Sequence, residues 1–142
     1  MLNTWVASVF IGSVLFVGCT NDDTTVQESG PSTVTGELKE WAVSVDPESV
    51  PAGEVTFEIT NNGTVQHEFL VVKTDIADGE IPVDGDHFSE SLEGIDVIDE
   101  IGEFDMGTTE SLTLTLEAGK YQLVCNIPAH YTAGMHTAFV VE

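Results

Sequence analysis

The stretch Tyr121-Gln-Leu-Val-Cys125-Asn-Ile-Pro-Ala-His130-Tyr-Thr-Ala-Gly-Met135 decides how this chain is read. Cys125, His130 and Met135 follow one another at a fixed interval of five residues. A thiolate, an imidazole and a thioether are soft-to-borderline ligands, a set that favours copper over calcium or magnesium. A short loop between two strands can fold all three side chains around one ion. A fourth candidate, His67, lies far upstream in Asn61-Asn-Gly-Thr-Val-Gln-His67-Glu-Phe69, behind a turn. Each residue alone has a plainer reading: Cys125 as inert packing, Met135 as core, His130 as an ordinary loop residue. Their joint spacing, with His67 behind its turn, points instead to one copper ion held by four side chains in a protein that carries single electrons.

The flanks of that stretch alternate with period two, the signature of half-buried strands. Trp41, Val43 and Val45 share one face, as do Val55, Phe57 and Ile59, then Leu112, Leu114 and Leu116, then Tyr121, Leu123 and Cys125. Glu68 to Thr74 and Thr137 to Glu142 read as further strands, and Asp46 to Gly53 as a turn-rich link. Asp75 to Asp105, rich in acids and broken by Gly79, Pro82, Gly85 and Gly94, reads as a long surface excursion with one strand near Val97 to Phe104. Seven or eight short strands and no convincing helix predict an antiparallel Greek-key β-sandwich. Asn62-Gly-Thr64 fits a glycosylation sequon and also a plain turn, the reading preferred here.

Upstream of the sandwich, residues 1–18 hold an apolar run from Trp5 to Gly18, too short to span a bilayer comfortably but suited to a signal-peptide core. Leu15-Phe-Val-Gly-Cys19 resembles a lipoprotein processing site, which would make Cys19 the lipidated first residue of the mature chain. No Lys or Arg precedes the apolar run, and Phe16 stands where Leu is usual. Residues 19–35 are polar and read as a flexible tether of roughly 20–25 Å root-mean-square span. Residues 36–142 then form the copper-binding domain, long enough to bury a core without disulfides. The domain is thus expected outside the cytoplasm, on the outer face of the cell membrane.

Aspartate and glutamate number 25 against three lysines and no arginine, a net charge of -22. That balance disfavours nucleic acid and anionic lipid surfaces as partners. Disorder is the usual concern at such charge, but 42% hydrophobic residues argue for a globule. The acids either steer a basic partner or adapt the surface to high salt, where the Debye length falls to about 3 Å and steering fades. Their spread along the whole chain favours salt adaptation.

With these residues in view, residues 36–142 resemble the cupredoxins, the small blue copper proteins. The most specific part is Cys125-x4-His130-x4-Met135, preceded by Gly119-Lys-Tyr121. This spacing is most similar to the sulfocyanin, rusticyanin and auracyanin branch, since plastocyanins have fewer residues between the Cys and the second His. Asn62-Gly63 followed by His67 is similar to the loop that brings in the family's first His. The acidic chain with its lipobox-like leader resembles the lipid-anchored halocyanins. The resemblance implies His67, Cys125 and His130 as equatorial ligands and Met135 as the weak axial one. It further implies a type 1 centre cycling between Cu(II) and Cu(I) in a monomer without enzymatic activity, with membrane-associated redox partners docking transiently where the His130 ring edge reaches the surface. Glu68 departs from the family, which often has Asn or Ser after the first His; a carboxylate has no amide hydrogen to offer, so the brace at that position must differ.

Other readings remain distinct. Copper storage or delivery usually employs more Met and His in open sites. A copper enzyme such as a nitrite reductase needs a second centre with additional histidines, and a binuclear oxidase-type centre needs a second Cys in the loop. A Cys-His nucleophile lacks any marked oxyanion site, and a metal-free adhesion sandwich would ignore the spacing. His87 reads as solvated, His136 as pointing away from the metal, and Met106 and Trp41 as packing or loop residues.

Overall fold

A computed structural model describes residues 30–142. The strands run in chain order as β1 (Ser32–Lys39), β2 (Ala42–Asp46), β3 (Ser49–Val50), β4 (Gly53–Asn61), β5 (His67–Thr74), β6 (Ile95–Phe104), β7 (Thr109–Leu116), β8 (Gly119–Val124) and β9 (His136–Val141). One short helix, α1 (His130–Ala133), lies between β8 and β9. A four-stranded sheet, β2-β1-β4-β7, faces a five-stranded sheet, β3-β9-β8-β5-β6.

The alternating segments become strands because each has one apolar face to bury. Val55, Phe57 and Ile59 of β4 are fully buried and meet Phe69 and Val71 of β5, Leu123 of β8 and Phe139 of β9. The Phe57 ring centroid lies 5.4 Å from that of Phe69 and 5.5 Å from that of Phe139, so this ring joins the two sheets. β5 departs from simple alternation: Phe69 to Val72 are all fully buried. A strand covered on both faces reads as a continuous apolar run. The cover on its outer side is the acidic excursion, whose Ile81 and Phe88 pack with Leu70, Val72, Val124 and Tyr131 in a second buried cluster.

The sandwich is as expected, but its sheets are mixed and not purely antiparallel. β1 pairs with β4 in parallel, and β3 with β9 likewise. The first strand also begins at Ser32, inside the stretch read as tether, because Val34 buries itself opposite Phe57. A lone apolar residue among Ser and Thr gave no periodic signal. Trp41 does not share the buried face of Val43; it sits in the β1–β2 turn and is 49% exposed.

Phe57→Ala removes the ring that spans both sheets and is expected to lower stability by about 3–5 kcal/mol, read from urea unfolding of the metal-free protein.

Candidate metal centre

β5 and β8 lie side by side, antiparallel, with Leu70 opposite Val124. The start of β5 and the end of β8 therefore fall at one end of the sandwich, which brings His67 and Cys125 together. Both side chains are fully buried. After Cys125 the chain loops out and returns, and a backbone bond from Cys125 N–H to Met135 C=O (3.0 Å) closes the loop at its base. His130 opens α1 inside that loop. Ala129, just before it, adopts a left-handed φ of 70°, a conformation that costs a non-glycine residue roughly 1–2 kcal/mol. Its N–H bonds Asp86 C=O at 2.7 Å, so the neighbouring loop holds the turn that aims His130 inward.

Three donor atoms converge. His67 Nδ1 lies 3.2 Å from His130 Nδ1, and Cys125 Sγ lies 3.3 Å from the same nitrogen. His67, Cys125 and His130 each offer a ligand atom, all within 4.8 Å of one another. Three N and S ligands arranged trigonally about a first-row metal at about 2.0–2.3 Å stand roughly 3.5–4 Å apart, so the cluster fits one ion. Met135 is fully buried in the same cluster as Cys125, and its N–H bonds His130 C=O at 3.1 Å.

The protonation of this pocket follows from its dryness. Burial pushes the Cys125 thiol up to about 11. A metal must therefore displace a proton to gain the thiolate. Burial, then the neighbouring His67, lowers the pKa of His130, favouring the neutral imidazole that ligation requires.

Around the donors stand groups that no local sequence pattern marks. Glu68, the departure from the family pattern, acts as an acceptor: its Oε1 takes the N–H of Asn126 at 2.8 Å, next to Cys125. Burial pushes its carboxyl up to about 7, against the opposing pull of that N–H. Asn126 in turn bonds both backbone groups of Phe88, accepting from its N–H and donating to its C=O, each at 3.0 Å. The acidic excursion thus clamps the ligand loop. Glu40 accepts from Thr64 N–H (2.7 Å) and Val65 N–H (3.1 Å) and lies 3.2 Å from His67 Nε2. The Thr64 N–H in particular holds the Glu40 carboxyl below the usual range. Nothing local in the sequence marks Glu40, because only the parallel pairing of β1 with β4 carries it to the His67 loop.

The remaining candidates fall elsewhere. His130 is 9% exposed, and Trp41 lies over it with ring centroids 5.1 Å apart, edge to face. His136 faces Asp78 (3.0 Å) and Tyr131, and His87 is exposed beside Asp86 (2.9 Å). No second cluster of metal-ligating His, Cys, Asp or Glu occurs among the described residues. Cys19 lies outside the described residues.

The profile of the copper-binding proteins of the plastocyanin/azurin family matches residues 39–142. This chain belongs to that family. Among solved structures, the fold is similar to auracyanin A from Chloroflexus aurantiacus, described as a "blue" copper protein, at 26% identity and a TM-score of 0.56 over 80% of this chain and 100% of that one. An auracyanin from Roseiflexus castenholzii aligns at 23% identity and a TM-score of 0.55, covering 80% of this chain and 98% of that one. Rusticyanin from Thiobacillus ferrooxidans aligns at 21% and 0.53, covering 80% and 79% respectively. A search of curated protein sequences found no match. Like other members of the plastocyanin/azurin family, the protein binds copper, with His67, Cys125 and His130 positioned for one ion.

Asn126→Ala leaves the Phe88 N–H and C=O without their partners and is expected to cost about 1–3 kcal/mol. Faster amide exchange at Phe88, ahead of exchange in β4, would show that the clamp has opened.

Proposed function

We propose that this protein carries single electrons through a type 1 copper centre, with Met135 as the weak fourth ligand to the set formed by His67, Cys125 and His130. The observation that carries this reading is the convergence of two Nδ1 atoms and one Sγ in a dry pocket. Two His, one Cys and a distant Met form the trigonal blue-copper set. The likeness to auracyanin A, described as a "blue" copper protein, supports the same chemistry. Bound copper supplies a one-electron change between its +2 and +1 states. The chain's part is to keep the donors in place through that change, and strands β5 and β8 with the clamped loop limit their movement. Four protein ligands leave no position for a substrate water, so the centre is read as a carrier and not an enzyme.

Partners of such a carrier are redox proteins that dock transiently, in contacts typically below about 1,200 Å². Trp41 offers them an exposed apolar surface directly over the His130 ring. Val65 and Met106, also exposed, sit on neighbouring turns, both tied to Asn61 by hydrogen bonds. The protein is read as a monomer, extracytoplasmic and held to the membrane by lipid on Cys19. Support for the anchor is the sequence Leu15-Phe-Val-Gly-Cys19 behind an apolar core.

Copper titration should produce an intense visible thiolate-to-copper(II) band that bleaches and returns on reduction and reoxidation. Cys125→Ser should abolish the band while the sandwich stays folded. A colourless site that holds only copper(I) would mark a copper store or delivery module instead. For the anchor, Cys19→Ser should move the protein from the membrane fraction to the soluble extracytoplasmic fraction, and mass spectrometry of the wild type should find acyl chains on Cys19. A wild-type chain without acyl groups would refute lipidation.

A further inference from the structure

His67 presents its two ring nitrogens to different neighbours. Nδ1 faces His130 Nδ1 and the copper position, while Nε2 lies 3.2 Å from Glu40 Oε1. A neutral imidazole has one donor and one acceptor nitrogen, and an ionised carboxylate can only accept. The pairing therefore sets the tautomer: Nε2 carries the proton and Nδ1 keeps its lone pair for the metal. His67 is fully buried, whereas the Glu40 side chain retains 23% exposure, so the carboxylate stays solvated enough to remain charged.

The contact is built on both sides. Glu40 Oε1 also accepts from Thr64 and Val65 N–H, which fixes the loop delivering His67 and locks the carboxylate's own position. Gly63 makes room for the approach: a Cβ there would lie 2.6 Å from Glu40 Oε1 and 2.6 Å from His67 Nε2. A side chain at position 63 would therefore force Glu40 or His67 to shift.

We propose that Glu40 is a positioning residue of the copper centre, holding His67 in its metal-ready tautomer and, through its charge, favouring copper(II) over copper(I). A carboxylate on the outer nitrogen of a ligating His raises the basicity of the inner one, and the more basic ligand prefers the more highly charged ion. The inference rests on copper at His67, Cys125 and His130 and not on where an electron goes.

Glu40→Gln tests the charge, since its amide oxygen can still accept from Thr64 and Val65. In the copper-loaded full-length variant, the ratio of copper(II) to copper(I) affinity should fall about tenfold, raising the reduction potential by 59 mV, the one-electron equivalent of a tenfold change. Gly63→Ala, which separates the pair without removing the charge, should raise it in the same direction. In the metal-free, 15N-labelled protein, the His67 ring shifts should report Nε2–H in the wild type and a mixture of tautomers in Glu40→Ala. Two results would overturn the proposal: an unchanged potential in a folded, fully loaded Glu40→Gln variant, or a wild-type His67 with its proton on Nδ1. Because the tautomer is read without copper, failure of the metal site and failure of this role give different outcomes.

Discussion

The register between β5 and β8 is the constraint on which the centre depends. With Leu70 opposite Val124, the alternating side chains place His67, Phe69 and Val71 on the inner face, along with Tyr121, Leu123 and Cys125. A slip of one residue in either strand would turn its whole set outward and separate the first His from the Cys. The apolar residues between the sheets enforce that register, so the core and the metal site are stabilised by the same pairing. This explains why a ligand at position 67 and another at 125 need no sequence proximity to share an ion.

Period-two alternation made the sandwich legible, and the Cys125, His130, Met135 spacing made the site legible, because both are local patterns. What escaped was non-local. The parallel pairing of β1 with β4 has no signature in either strand, yet it delivers Glu40 to His67 and Trp41 to His130. The excursion looked like solvated surface because acids dominate it, and its two anchors, Ile81 and Phe88, stand isolated among them. Glu68 was recognised as a departure, but only the fold shows it accepting the Asn126 N–H. The short helix at His130 follows a left-handed alanine, a conformation that sequence does not advertise.

The ligand loop is restrained from several directions. Its base is closed by the Cys125–Met135 backbone bond, its start is held by Glu68, and its middle is tied through Asn126 and Ala129 to the excursion. Buried polar groups in such a network need all their partners, since the dry surroundings make an unpaired one costly. Every buried side-chain N and O among the described residues does have a partner. A loop so fully bonded has little freedom to rearrange, so bound copper in its +2 and +1 states would meet nearly the same donor geometry.

Charge then decides between those states. Two neutral imidazoles and one thiolate carry -1, so the pocket is neutral with a singly charged ion and +1 with a doubly charged one. Burial of the donors penalises the charged form, which by itself would favour copper(I). Opposing that, Glu40 lies against the outer nitrogen of His67, and the whole chain carries -22. Distant surface acids act through water and are screened by salt, whereas a carboxylate hydrogen-bonded to a ligand is not. The carboxylate in hydrogen-bond reach of a ligand is therefore the one whose effect on a bound ion would persist as salt rises.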